Sequence, residues 1–150
     1  MSPLNIAMLT TFYPPYNFGG DGIGIRRLAT AMADRGHNIT VVHDIDAYVT
    51  QAGKEPAPIE MDPRINVVGL KSDLGLLSNL LVHQLGRPVA HTAQLKELLA
   101  PGKFDVIWYH NSSLIGGPGL FNLGDPDAVR IYEAHEHWLI CPTHVLWKEN

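Results

Sequence analysis

The feature that most constrains this chain is a group of four glycines within six positions, residues 19–24, set between an apolar run and a helical pattern. The apolar run, residues 5–9, has the composition of a buried parallel strand. After the glycines, apolar residues recur at the spacing of one helix face, and a basic residue and a glycine then end the pattern. The face comprises Ile25, Leu28, Ala29 and Met32, and Arg35 and Gly36 end it. We therefore predict a strand, a glycine loop and a helix.

A glycine loop before a helix presents backbone N–H groups and the positive end of the helix dipole to one point, where an anion such as phosphate can bind. Glycine permits close approach of a ligand or a positive φ. Two known phosphate motifs are not matched. The dinucleotide fingerprint G-x-G-x-x-G, counted from Gly20, needs its third glycine at position 25, but the glycine is at position 24. The P-loop motif needs a Gly-Lys-Ser/Thr sequence, and none follows. A plain connection whose glycines serve only packing is the alternative.

The rest of the chain alternates between strand and helix patterns. Apolar runs predict strands at residues 39–42, 65–68, 104–109 and 128–132. We predict one helix over 74–85, capped by Ser72 and Asp73, and another over 89–99. Residues 47–63 are predicted to be irregular because 51–58 are polar and rich in proline. The alternation predicts an α/β fold, a Rossmann-like doubly wound parallel sheet.

The first of these two helices is rich in leucine. We predict that its leucine face packs on the core, because the segment lacks flanking Lys or Arg; a membrane-seeking face is the alternative. The face comprises Leu74, Leu77, Leu80, Leu81 and Leu85.

Ligands of parallel sheets bind at the carboxyl ends of the strands. That rule places the glycine loop on one rim with the residues that follow the other strands: His43, Asp44, His110, Asn111 and His135. Imidazole suits hydroxyl recognition and proton transfer near neutral pH. Each histidine can instead simply bond a loop carbonyl. An acid after the second strand can also bind the ribose of a dinucleotide, which is a further alternative.

A cluster of possible metal ligands lies near the end of the sequence: His135, Glu136, His137, Cys141 and His144. Its spacing fits neither H-E-x-x-H nor paired Cys-x-x-Cys motifs. In an extended strand, His135 and His137 would also point to opposite faces. We therefore predict no metal site.

Several motifs together resemble retaining glycosyltransferases of the family 4, or group 1, type. Residues 105–110 resemble the family's D-V-hydrophobic-x-x-H strand, and residues 135–142 resemble its H-D-x-W-x-x-C-P segment, with Glu136 in place of Asp. The start of the chain contributes Tyr13-Pro14-Pro15, Gly19-Gly20, Leu28-Ala29 and Arg35-Gly36-His37. The resemblance implies the GT-B fold, in which two doubly wound domains face each other across a cleft.

The resemblance also implies roles for individual residues. Gly19 and Gly20 would line the cleft near the donor diphosphate, and His135 would be catalytic, beside the transferred sugar. His110, Asn111 and Glu136 would face the acceptor, which would be a carbohydrate, a lipid or a small molecule. The family needs no metal and no cofactor; a nucleotide-diphosphate sugar is the co-substrate.

Residues 1–150 would then form the N-terminal, acceptor-side Rossmann-like domain of such an enzyme, truncated and without its C-terminal donor-binding domain. The Glu-x7-Glu motif of that second domain does not occur in the sequence. We therefore expect these residues to be inactive by themselves. The alternative is a non-catalytic Rossmann-like module that binds a nucleotide or a sugar.

Composition excludes some classes of function. The net charge is −4 and no basic block occurs, so nucleic-acid binding is not expected. A single cysteine, a strand that starts by residue 5 and the absence of an apolar run of about 20 residues predict a cytoplasmic protein with at most peripheral membrane contact.

Overall fold

The protein, described here by a computed structural model over residues 2–141, contains one five-stranded, all-parallel sheet with helices on both faces. The strand order is β3-β2-β1-β4-β5, which confirms the predicted Rossmann-like α/β fold. The strands are β1 (Asn5–Leu9), β2 (Asn38–Asp44), β3 (Ile65–Leu70), β4 (Val106–Tyr109) and β5 (Val129–Tyr132). The helices are α1 (Gly20–Asp34), α2 (Ile45–Ala52), α3 (Leu76–Leu85), α4 (Thr92–Leu98) and a 3₁₀ helix (Gly117–Asn122).

The two faces of the sheet carry separate hydrophobic clusters, because successive side chains of a strand point to opposite sides. One face of β1 packs on helix α1, and the other packs on helix α4 and the 3₁₀ helix. The first cluster includes Ile6, Met8, Ile25 and Ala29, with Leu28 and Met32 packed against it. The second includes Ala7, Leu9, Leu95, Leu99 and Leu120. The predicted apolar face of α1 is confirmed.

Helix α1 ends as predicted but begins earlier. Gly36 has φ 86°, its N–H donates to Ala33 O, and His37 N–H donates to Met32 O, which is a Schellman motif. At the other end only Gly19 precedes the helix, as its N-cap, and the later glycines of the group lie within it. The prediction of a glycine loop is therefore wrong beyond Gly19. Tertiary contacts of the first turn, described below, outweigh the low helix propensity of glycine.

Strand β2 and the segment after it also differ from prediction. The strand runs on through His43 and Asp44, which are both buried, and helix α2 follows at once. Asp44 caps this helix by accepting a hydrogen bond from Ala47 N, and Gly53 ends it with φ 68°. The prediction that residues 47–63 are irregular is thus wrong over 47–52. The prolines of the stretch that suggested it, Pro56 and Pro58, lie only after the helix.

Helix α3 presents its leucines to solvent, so the prediction of a core-facing leucine face is wrong. Its buried residues are Ser78, Asn79 and Val82. Asn79 Nδ2 lies 3.4 Å from Thr50 Oγ1 of α2, and Ser78 Oγ lies 3.4 Å from His91 Nε2 at the start of α4. Polar contacts with neighbouring helices therefore decide which face turns inward. Four leucines are more than half exposed: Leu76, Leu77, Leu80 and Leu85.

Within residues 2–141, the outer strand β5 is hydrogen-bonded to β4 alone, and all of its residues are exposed. Among the described residues, no helix is both long and apolar enough to cross a bilayer.

Candidate functional site

The site forms where the order of the strands reverses. Strand β1 pairs with β2 on one side and with β4 on the other, so the connections leave β1 in opposite directions. The loops that follow β1 and β4 are joined there, since Thr11 N donates to Asn111 O and Leu114 N donates to Thr11 Oγ1. In open α/β sheets a ligand binds in the crevice at such a point.

A cavity of about 250 Å³ lies at this switch point, beside the N-terminus of α1. It brings together three of the residues predicted from sequence: Gly19, Gly20 and Asn111. The first two lie at the start of α1, where backbone N–H groups have no partner within the helix. Its other lining residues are Thr10, Phe12, Asn17, Phe18 and Asp21.

Gly19 and Gly20 have no side chains, so the backbone that lines this cavity is accessible. Gly19 is extended, with φ −149°, and Gly20 is the first residue of the helix. Neither has a positive φ, so that part of the reasoning about Gly20 is wrong. A Cβ on Gly20 would meet no atom within 4 Å. The other predicted reason for a glycine at position 20, the close approach of a ligand, stays a prediction.

Within the glycine group at residues 19–24, the glycine that the fold requires is Gly22, which the sequence analysis did not single out. Gly22 is buried, and a Cβ there would lie 2.8 Å from Asn17 Cγ and 3.1 Å from Phe12 O. Asn17 Nδ2 in turn donates to Gly19 O over 2.7 Å. Gly22 therefore lets the loop after β1 pack against α1. A Gly-x-Gly pair at a helix start is the signal that could have indicated this contact.

Asn111 also borders a second, larger cavity of about 650 Å³. Glu136, which was also predicted to face an acceptor, lines the same cavity. Phe12 and Asn111 line both cavities, so the two spaces adjoin. The wall of the larger cavity also includes the aromatic ring of Trp138 and the hydroxyl group of Ser113. This composition suits a ligand that has both hydroxyl groups and apolar surface.

His110 and His135 come together at the ends of adjacent strands. Nδ1 of His110 lies 3.1 Å from Nε2 of His135, and Glu133 approaches both rings. Its carboxylate oxygens lie 3.6 Å from His110 Nδ1 and 3.8 Å from His135 Nε2. Burial, together with the neighbouring His135, lowers the pKa of His110 to about 3. His110 is therefore neutral at physiological pH.

The two histidines differ in exposure. His110 is fully buried and stacks on Trp108, with ring centroids 5.4 Å apart, whereas the side chain of His135 is 17% exposed. Neither His110 nor His135 is among the described residues that line the two cavities. His135 is bonded to a side chain rather than to a loop carbonyl, so its catalytic role stays a prediction. A contact of His110 with the acceptor also stays a prediction; its ring touches His135.

His43 and Asp44 do not lie on the predicted rim, because both are buried, and Asp44 belongs to a buried polar cluster. His91 Nε2 lies 3.8 Å from Asp44 Oδ1 and 3.6 Å from Asp46 Oδ2, and Ser72 donates to Asp46 through both N and Oγ. Burial raises the pKa of Asp44 to about 7. Because both acids are enclosed, a ribose hydroxyl cannot reach them. The cluster links α2 to α4 and to the start of the α3 segment.

The metal cluster considered from sequence is not assembled by the described residues. His135 approaches Glu133 and His110, and the group does not include Glu136, His137 or Cys141. His144 and Pro142, the last residue of the family-like segment, lie outside the described residues.

No protein-family model matches this sequence, and no curated protein matches it either. The resemblance to glycosyltransferases therefore depends on the sequence motifs alone.

Proposed function

We propose that this chain is the N-terminal, acceptor-side part of a retaining glycosyltransferase that uses a nucleotide-diphosphate sugar. The observation that supports this best is the cavity at the strand-order reversal. There Gly19 and Gly20, at the start of α1, face Asn111, at the end of β4. These are positions that the family-like motifs assign to the donor diphosphate and to the acceptor.

The adjoining cavity provides the space for an acceptor. Asn111 and Glu136 supply hydrogen-bonding groups, and Trp138 supplies an apolar wall of the kind that packs against sugar rings. Glu136 stands where the motif more often has Asp, and its longer side chain still reaches the cavity.

The charges at the first cavity predict weak donor binding by this domain alone. The helix dipole at the start of α1 favours an anion by only about 0.3–1 kcal/mol, and the exposed Asp21 in the first turn opposes it. Strong binding of the diphosphate would then need a second, donor-binding domain. We expect residues 1–150 to show no sugar transfer and, at best, millimolar affinity for nucleotide sugars.

Isothermal calorimetry with UDP-, GDP- and ADP-sugars tests this division of the site. A micromolar dissociation constant for any of them would contradict the division of the site between this domain and a donor-binding domain. It would favour the alternative, a non-catalytic Rossmann-like module that binds a nucleotide or a sugar.

Catalysis is tested in a longer polypeptide that joins this domain to a donor-binding domain. His135→Ala should lower kcat there far more than it raises the acceptor KM, because a group beside the reacting sugar acts mainly in the transition state. His137→Ala is the matched control: His137 is exposed and belongs to neither cavity nor the histidine pair. Equal effects of the two variants, or a full turnover number in His135→Ala, would remove His135 from the reaction.

A further inference from the structure

We infer that His110, Glu133 and His135 form a binding site for a zinc ion. The three ligand atoms would be His110 Nδ1, His135 Nε2 and one carboxylate oxygen of Glu133. This site goes beyond the proposed function and does not require it, although both use His135.

The distances between the ligand atoms fit one small ion. Zinc binds imidazole nitrogen and carboxylate oxygen at about 2.0–2.2 Å, so two ligands of a tetrahedral ion lie about 3.3 Å apart. The two nitrogens lie 3.1 Å apart, Glu133 Oε2 lies 3.6 Å from His110 Nδ1, and Glu133 Oε1 lies 3.8 Å from His135 Nε2. With a single Glu133 oxygen, the three ligand atoms all lie within 4.8 Å of one another, and a rotation of this half-exposed carboxylate would bring that oxygen closer to both nitrogens.

The fold holds the three residues together by its backbone. Tyr109 and Tyr132 are register partners in β4 and β5, so the residues that follow them lie side by side. His110 N donates to Leu9 O, and Glu133 N donates to Tyr109 O over 2.8 Å. The ring of His110 is fixed further by burial and by its stack on Trp108. Two of the three ligands are thus positioned before an ion binds.

The chemistry of the set favours zinc over harder cations. Two imidazoles and one carboxylate are the protein ligands of many catalytic zinc sites, which keep a fourth position for water, whereas calcium and magnesium prefer oxygen ligands. Glu133 is 42% exposed and His135 17% exposed, so an ion can enter from solvent. Sequence analysis predicted that His110 and His135 share a rim but did not single out Glu133, which lies 23 positions after His110.

One feature limits the expected affinity. Ligating histidines usually donate their other N–H to an acceptor, and within residues 2–141 Nε2 of His110 has no hydrogen-bond partner. We therefore expect a dissociation constant in the micromolar range.

The test uses the 150-residue chain and two metals, Zn²⁺ followed by calorimetry and Co²⁺ followed by its visible absorption. We expect one ion per chain and, for Co²⁺, a tetrahedral spectrum. Glu133→Gln and His135→Ala should each weaken binding at least tenfold, and His137→Ala should leave it unchanged. Glu133→Gln keeps the shape of a half-exposed side chain, so it decides the matter if His135→Ala perturbs folding, which circular dichroism would reveal.

Two results would overturn the site. One is no binding at metal concentrations up to 1 mM. The other is binding that persists in Glu133→Gln and is lost in His137→Ala, which would place the ion in the segment after His135.

Discussion

Gly22 lies so close to Asn17 that a Cβ on Gly22 would come within 2.8 Å of Asn17 Cγ. Asn17 is held there by its hydrogen bond to Gly19 O. Gly22→Ala should therefore displace Asn17 and the loop after β1. We expect a loss of about 1–3 kcal/mol in the free energy of unfolding, as for other overpacked sites. Urea denaturation followed by circular dichroism measures it.

Gly20→Ala is the control for that experiment. The position is helical and open, so alanine meets no atom and is a better helix former than glycine. Its free energy of unfolding should be equal to or above that of the wild type. Similar losses at the two positions would mean that the contact with Asn17 is not the cause.

The same open position allows a test of the donor site. Gly20→Val adds two methyl groups beside the cavity, at a position where a Cβ meets no atom within 4 Å. In the longer polypeptide it should reduce sugar transfer by orders of magnitude while the domain stays folded. An unchanged turnover number would mean that no ligand approaches this backbone and that the glycines serve packing alone.

His43 should make stability depend on pH. Its ring is buried beside Tyr13 and Tyr16, and burial lowers its pKa to about 4. The unfolded chain binds a proton near pH 6.5, so the contribution of neutral His43 is present above that pH and is lost as the pH falls toward 4. The shift corresponds to about 3 kcal/mol.

The measurement must separate His43 from Asp44, which acts with the opposite sign. The raised pKa of Asp44, about 7, means that its contribution is present below about pH 4 and is lost as the pH rises through 7. Wild type and His43→Phe both contain Asp44, so the difference between their free energies of unfolding removes the contribution of Asp44. The variant should gain relative stability as the pH falls from 7 to 4, and the exposed-site control His83→Gln should not. Parallel curves for wild type and His43→Phe would contradict the assignment.

The exposed leucines of α3 predict a contrast within one helix. Leu77→Ser, at a half-exposed position, should change the free energy of unfolding by less than about 0.5 kcal/mol. Val82→Ala, at a buried position, should cost about 2 kcal/mol because it leaves a cavity. Thermal denaturation of the two variants distinguishes this arrangement from the core-facing leucine face predicted from sequence, which would reverse the order.

The pattern of the sequence was sufficient for the sheet and for the face of α1, since apolar runs and a single helical period determine both. It was insufficient where polar contacts decide the outcome. Helix α2 begins after Asp44 because the Asp44 carboxylate accepts a hydrogen bond from Ala47 N. Helix α3 buries the face that carries Ser78 and Asn79. The cavity residues Gly19, Gly20 and Asn111 could be predicted because they follow strands. The approach of Glu133 to the histidines depends on strand register, which the local sequence does not encode.

The position of β5 at the edge of the sheet has a consequence for the timescale on which the histidine pair persists. In the part of the chain that the structure describes, β5 is hydrogen-bonded on one side and every one of its residues is exposed, which places it in the least protected part of the fold. Its amides should exchange with deuterium much sooner than those of the central strand β1. Each opening of β5 carries Glu133 and His135 away from His110, which stays on β4. A ligand held by all three would therefore slow exchange at an edge strand while leaving the already protected centre of the sheet unchanged.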